Sequence, residues 1–441
     1  MTEPVSRDRW YRRAARALAP LLALEDWWAN WLGVLLIVIA ATGLVTRIPR
    51  PDRWVANPLA SLPFDLLPGL LGLGLGIGLV TAVAVGASRG EARRYLMAFP
   101  VVFGLALLAQ VIGGQTSLAH YGLNYVIWAL LLGLGLSNTV GVPGWLAPAL
   151  REELFIKTGL VLLGAEILFS RILVLGVRGL GVAWLVTPVV LTFMYLFGTR
   201  VLRIKSRSLV ATIAAATSVC GISAAIATGA ATRARREEVS FTVSLTLVLT
   251  VLMMLGMPAA IRAAGLSPAM GGALIGGTVD STGPVVAAAA MLGPEALEVA
   301  SLVKMIQNVL IGIVAFVFAA LWATGVDGSS GQATYLEIWR RLPKFILGFV
   351  FASAVFSFIL IPGMGDEAVG GILRITGRLR DWLFCMAFVS IGLQSRLREL
   401  ATTVRGGRPV ALYVVGQAAN VLLTLLAAWL FFGGGLLPPA A

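Results

Sequence analysis

Thirteen apolar stretches, centred near residues 38, 76, 104, 130, 162, 189, 220, 250, 280, 312, 352, 388 and 420, dominate this chain. Each is close to the roughly 20 residues that a membrane-spanning helix requires. In hydrocarbon every backbone N–H and C=O must be satisfied within the segment, which leaves helices as the default spanning element. Hydrophobic residues make up 58% of the chain and charged ones only 12%, against roughly 25% charged in soluble domains. A water-soluble fold is therefore excluded, and an all-α polytopic membrane protein of about 13 transmembrane helices is expected.

The net charge of +13 reads as loop charge and gives no case for nucleic acid as a partner, because basic residues of such a chain collect in cytoplasmic loops. With the N-terminus inside and thirteen crossings, Arg93, Arg94, Arg151, Arg200, Arg203 and Arg341 fall on the cytoplasmic side with most other basic residues. The run Arg-Ala-Arg-Arg-Glu-Glu at 233–238 falls outside and is the strongest dissent from this topology. A bacterial inner-membrane location with a cytoplasmic N-terminus is the expectation.

Residues 1–26 read as a cytoplasmic amphipathic segment on the membrane surface. Three additional spans follow in 27–121. The remaining ten divide into 122–262 and 263–441, five apiece. Since five is odd, two such halves would be inverted repeats, as in many transporters. Residues 218–227 and 384–394 both carry small and polar residues before an Arg cluster and are the expected counterparts. Cys220 and Cys385 lie in separate apolar spans and read as packing residues. His120 is the sole histidine, so no zinc site can be assembled. No catalytic residue, metal site or cofactor is expected, and an enzyme is not.

Polar residues at membrane depth are costly and mark function. The span around residue 220 carries Ser218, Cys220, Gly221 and Ser223 among alanines. Small residues favour close helix packing; alternatively the helix breaks near Gly221 and offers N–H and hydroxyl donors to an anion. The stretch Gly-Gly-Thr-Val-Asp-Ser-Thr-Gly-Pro at 276–284 sets Asp280 beside Thr278, Ser281, Gly283 and Pro284, so a continuous helix is not expected there. Asp280 either caps a helix boundary in a re-entrant loop or faces a cavity. Lys304, Gln307 and Asn308 stand at i, i+3 and i+4 on one helix face. An ion pair between Lys304 and Asp280 is one reading, a substrate role another, and the two are compatible. Glu166 and Gln394 are further polar groups in apolar surroundings; Glu166 is either an interfacial residue or a site residue.

In these residues the chain resembles the YeiH family of bacterial membrane proteins, often labelled sulfate exporters. The likeness covers about 122–432 through Leu-Gly-Leu-Gly-Leu-Ser-Asn (132–138), Thr-Gly-Leu-Val-Leu-Leu-Gly-Ala (158–165), Ser-Val-Cys-Gly-Ile-Ser-Ala (218–224), Gly-Gly-Thr-Val-Asp (276–280), Val-Lys-Met-Ile-Gln-Asn (303–308) and Gly-Leu-Gln-Ser-Arg (392–396). The family commonly has a histidine and an acid after Thr-Val, where this chain has Asp280 and Ser281. The resemblance implies an anion transporter related to cation/proton antiporters and anion transporters built on two inverted five-helix repeats with broken crossing helices.

The expected function is secondary transport of a small anion such as sulfate or a sulfonate. Ser218, Cys220, Gly221, Ser223, Thr278, Ser281, Lys304, Gln307, Asn308 and Gln394 are the candidate substrate residues. Asp280 and Glu166 are candidates for a coupling proton or sodium ion. The expected partners are the anion, the lipid bilayer and that ion, with a homodimer left open. The alternative in the same class is a monovalent cation/proton antiporter using Asp280, and the alternative in another class is a membrane receptor or enzyme.

Overall fold

The computed structural model describes residues 24–120, 123–325, 339, 341–395 and 407–438; the amphipathic segment expected before residue 24 lies outside them. The described chain is helical, and its only β feature is an isolated bridge between Trp54 and Gln115. The helices used below are α1 (Glu25–Ala41), α2 (Leu67–Arg89), α3 (Ala92–Gly113), α4 (Tyr125–Thr139), α5 (Glu152–Glu166), α6 (Phe169–Leu196), α7 (Arg207–Ala215), α8 (Gly221–Ala231), α9 (Arg236–Ala263), α10 (Pro268–Thr278), α11 (Thr282–Leu292), α12 (Pro294–Gly325), α13 (Phe345–Val355), α14 (Asp366–Gln394) and α15 (Arg408–Phe432). Eight helical stretches among the described residues are long and apolar enough to cross a membrane.

The chain forms two compact units. The first holds residues 1–132, 142–168 and 344–390; the second holds 133–141, 169–343 and 391–441. In the first, small residues let helices approach closely, as membrane interfaces prefer. A side chain at Gly33 would collide with Val161, and one at Gly164 with the carbonyl of Phe349, drawing α1 and α13 onto α5. A polar clip fixes their ends. Asp26 accepts from Lys157 Nζ at 2.6 Å and from the Lys344 N–H at 3.0 Å, while Asn30 Nδ2 donates to the Lys344 carbonyl at 2.8 Å. Tyr95, Phe99, Phe103 and Trp382 form a ladder with centroid spacings of 5.5, 6.1 and 5.0 Å, tying α3 to α14.

In the second unit, 207–231 is not one crossing helix. Ser206, at the start of α7, donates to Glu238 Oε1 at 2.6 Å, and Ser208 donates to Oε2 at 2.9 Å. Glu238 lies just after the end of α8. A straight helix of 25 residues would hold these ends ~37 Å apart at 1.5 Å per residue, so the chain must fold back on itself. It does so at Cys220–Gly221, after a π-helical turn at Ala216–Cys220. Segment 268–292 folds back likewise. Leu292, at the end of α11, lies 3.1 Å from where a Cβ on Gly271 would sit near the start of α10, and Arg262 at the end of α9 donates to the Met291 carbonyl.

Each segment is therefore a helical hairpin. Because α9 joins the base of the first to the base of the second, the two hairpins point toward each other and meet at their tips. The expected broken crossing helices are corrected accordingly. The physical reason is local: Ser206 and Ser267 each cap a first arm, whereas the backbone leaves helical geometry at the tips. Val279 and Ser281 are extended, with φ/ψ of −73/125 and −112/143. The second correction concerns 384–394, the expected counterpart of 218–227. It belongs to α14, which runs unbroken from Asp366 to Gln394.

Helix α12 is the spine of both hairpins. Its first half lies along α10, where Gly272 and Gly276 bring the arm within 2.5 and 2.7 Å, measured from a built Cβ, of the Ala296 and Ala300 carbonyls. Its second half packs Leu310, Ile311, Val314, Phe318 and Trp322 against Ala211, Ala215, Ala224 and Ala227 of the first hairpin. Lys304 stands between the two, level with the tips.

Candidate functional site

The tips touch through Gly221. A Cβ there would lie 2.9 Å from Thr246 Cγ2, 3.0 Å from Ser281 Oγ and 3.4 Å from Asp280 Cβ. Glycine is required by this approach. Breaking two helices at one point leaves four helix ends close together, two C-terminal and two N-terminal, and the chain treats them oppositely.

The C-terminal ends of the first arms expose orphan carbonyls, and side chains from neighbouring helices take them up. Lys304 Nζ donates to the Val219 carbonyl at 2.7 Å and to Gln307 Oε1 at 2.7 Å. Gln307 Nε2 donates to the carbonyls of Ser218 at 3.0 Å and Gly277 at 3.1 Å, bridging the two tips. From α15, Asn420 Nδ2 donates to the Thr217 carbonyl at 3.3 Å and Gln417 Nε2 to that of Thr278 at 2.7 Å. Thr187 of α6 donates to the Ser218 carbonyl at 3.1 Å. A fully buried ammonium at the negative end of a helix is favoured by the macrodipole. That suits a lysine in a chain so rich in arginine: one point charge sits between a backbone carbonyl and an amide oxygen, where a planar guanidinium fork has a different geometry.

The N-terminal ends of the second arms are left open. Neither α8 nor α11 has a side-chain cap, and Pro284 in the first turn of α11 brings no N–H. Here the tip is accessible: Ser223 is exposed and Ile222 and residues 281–284 are half-buried, whereas Cys220, Gly221 and Asp280 are buried. Asn308 Nδ2 meets Thr282 Oγ1 at 3.1 Å, and its Oδ1 has no partner. Two adjacent uncapped helix N-termini with hydroxyls form a cradle of the kind that binds anions.

Asp280 faces α9 and α15. Its Oδ2 accepts from Tyr413 Oη and from Thr250 Oγ1 at 3.4 Å, and Gln417 Nε2 lies 3.5 Å from Oδ1. No ion pair joins Asp280 to Lys304 among the described residues, so the direct pair that the sequence suggested does not form. Each charge is instead held by neutral groups.

The structure thus gathers Ser218, Cys220, Gly221, Ser223, Thr278, Asp280, Ser281, Lys304, Gln307 and Asn308 at one place. Within it Ser218 and Thr278 turn their hydroxyls back to Ala214 and Leu274 and contribute carbonyls instead. Gln394 is not brought in. It is exposed at the end of α14, where Ser137 and Asn138 bond to the neighbouring carbonyls of Gly392 and Ser395. Glu166 belongs to the first unit and pairs with Arg380, which also binds Asp381 at 3.0 Å. The site also contains residues that the sequence reading passed over: Tyr413, Gln417 and Asn420 on α15, Thr246 and Thr250 on α9, and Thr187. Their spacing is the signal, since Tyr413, Gln417, Asn420 and Thr424 recur at i, i+4, i+7 and i+11 on an otherwise apolar helix.

A family described as "Conserved hypothetical protein 698" matches residues 97–412. A UPF0324 membrane protein of Rhodopirellula baltica is 50% identical over 399 residues, covering 89% of this chain and 73% of that one. A UPF0324 membrane protein of Nitratidesulfovibrio vulgaris is 46% identical over 345 residues, covering 77% of this chain and 60% of that one. The UPF0324 membrane protein TauZ of Paracoccus denitrificans is 30% identical over 315 residues, 69% of this chain and 87% of its own. No solved structure matches.

Proposed function

The chain belongs to the YeiH/UPF0324 family of membrane proteins, and on that premise we propose that it is a secondary transporter for a small anion such as sulfate or a sulfonate. One observation carries the reading: the uncapped N-terminal turns of α8 and α11 meet at an accessible point, while the opposing helix ends are neutralised by Lys304 and three amides. An anion placed there receives backbone N–H groups and hydroxyls from both hairpins at once. No ATP-binding motif occurs in the sequence, so the proposed driving force is a gradient or a partner protein. The alternative is a monovalent cation/proton antiporter using Asp280 with Lys304 as its counter-ion, the two acting on each other without direct contact.

The location is the bacterial inner membrane with the N-terminus cytoplasmic. We propose eleven crossings and two re-entrant hairpins for the thirteen apolar segments; eight helical stretches among the described residues, 207–231 included, are long and apolar enough to span. Only 232–267 changes side, which carries Arg233, Arg235 and Arg236 inward and Arg262 outward. This removes the main dissent from the positive-inside rule. The inverted relation is carried by the pairs 207–263 and 268–325, each a hairpin followed by a long helix. In the halves 122–262 and 263–441 the hairpins occupy different places in the order.

The test is current from the purified protein reconstituted on a solid-supported membrane. Pulses of sulfate, sulfonates, bicarbonate and carboxylates are compared with pulses of sodium and potassium. A saturable anion-evoked current supports the proposal. Currents evoked by cations alone and indifferent to every anion would replace it with the antiporter.

A further inference from the structure

We propose that the back of the tip contact is a sodium site whose ligands are Asp280, Thr246, Thr250 and Gln417. The inference rests on reading the tips as the transport site and names the coupling ion at it. Asp280 is 1% exposed, Thr246 0%, Thr250 1% and Gln417 8%, so all four oxygen sets are withdrawn from water. Thr246 and Asp280 both border Gly221: the Thr246 methyl, Cγ2, and Asp280 Cβ lie 2.9 and 3.4 Å from where a Cβ on Gly221 would sit. Thr250, one turn further along α9, reaches Asp280 Oδ2 at 3.4 Å, and the Gln417 amide reaches Oδ1 at 3.5 Å.

Two of these groups lack any partner: the Thr246 hydroxyl and Gln417 Oε1. Several hydroxyls around the tips are satisfied by the carbonyl one turn back, as in Thr242 to Glu238, Thr217 to Ile213 and Ser218 to Ala214. Thr246 makes no such bond. The Gln417 amide cannot be reversed to relieve Oε1, because its Nε2 is committed to the Thr278 carbonyl at 2.7 Å. Leaving buried polar atoms unmatched costs free energy, and a cation held by Asp280 is the occupant that would match two such oxygens on the side chains around it. The all-oxygen set selects a hard ion. A single carboxylate, with the Lys304 charge on the other side of the tips, selects a monovalent one over calcium, which gathers several carboxylates. A buried water is the competing occupant, since it too would satisfy these oxygens.

The experiment uses the full chain in detergent without any substrate anion other than chloride. Thermal unfolding and 22Na+ binding are measured in sodium, potassium and choline chloride at one ionic strength. Sodium alone is expected to raise the melting temperature saturably, because an ion that binds only the folded state stabilises it. Thr246→Val removes a hydroxyl that bonds to nothing in the protein and so leaves the fold intact. It should weaken sodium binding by about tenfold or more, the loss seen when a metal site is disturbed. Thr228→Val, which removes another buried hydroxyl without a partner, should bind sodium like the unsubstituted protein. Absence of a sodium-specific shift, or a Thr246→Val protein that binds sodium normally, overturns the site and leaves water as its occupant. Anion-evoked currents that persist without sodium would separate that failure from a failure of the anion reading.

Discussion

Replacing Lys304 tests whether a buried charge is there to hold helix ends together. Its ammonium bonds to the Val219 carbonyl and Gln307 Oε1, both at 2.7 Å. Gln307 cannot turn to find another partner, because its Nε2 already spans the Ser218 and Gly277 carbonyls. Lys304→Gln keeps a donor but loses the charge at the helix C-terminus, a loss of up to ~2 kcal/mol in a buried setting. Lys304→Met loses both and orphans two buried acceptors at about 1–3 kcal/mol each. Relief from burying an ion offsets part of this, since a buried charge is itself costly. The expected net effect for Met is a destabilisation of about 3 kcal/mol, larger than that for Gln. The assay is thermal unfolding of both variants in detergent, paired with anion-evoked current. A Lys304→Met protein as stable as the unsubstituted one would show that the carbonyls do not need the cation and would refute the capping argument.

Gly221→Ala should insert and accumulate normally yet lose most of its anion current, since a methyl 2.9 Å from Thr246 Cγ2 and 3.0 Å from Ser281 Oγ forces the tips apart; an unchanged current would mean the tips need not touch. In a background lacking Cys220 and Cys385, Arg203→Cys and Arg233→Cys should be labelled by an impermeant thiol reagent from one side and Arg262→Cys from the other, whereas a crossing helix over 207–231 would put Arg203 and Arg233 on opposite sides. Glu238→Ala releases Ser206 and Ser208 from the base of the first hairpin and should destabilise the protein by about 3 kcal/mol, read by unfolding and by new protease cleavage near 205–206.

Hydropathy made the helical membrane fold legible but could not show that 207–231 turns back. Two arms of 9 to 14 residues and one helix of 25 contain the same apolar letters, and the difference lies in Cys220–Gly221 and in a contact between Ser206 and Glu238 that sequence distance hides. The clue present was electrostatic: the Arg run at 233–238 sat on the unfavourable side of a thirteen-crossing chain. Lys304, Asp280, Gln307 and Asn308 stood out because charged and amide groups at membrane depth are expensive. Tyr413, Gln417 and Asn420 did not, because each alone is unremarkable in a span and only their shared face, turned toward the tips, gives them a role. Gln394 failed as a candidate for the reverse reason. Its motif lies at a helix end, where a polar residue meets no penalty and so signals nothing.

If the anion cradle and the sodium site are both occupied, the two ions are neighbours, since Asp280 immediately precedes Ser281 in the same tip. At a separation of about 6 Å and an effective dielectric near 20, opposite unit charges attract by ~2.8 kcal/mol, close to a hundredfold in affinity. Binding linkage is reciprocal, so sodium should tighten the anion by the same factor by which the anion tightens sodium. The sign follows from charge alone and does not depend on which anion is carried. Asp280→Asn removes the sodium ligand's charge without touching the uncapped N-termini, so it should leave weak anion binding that no longer responds to sodium. Calorimetric titration of the sulfate or sulfonate that gives the largest current, with and without sodium, and then of sodium with and without that anion, measures both factors. Equal factors well above one are the expected result. Independent binding, with both factors near one in the unsubstituted protein, would mean that the two ions never share the tips and that the anion lies elsewhere.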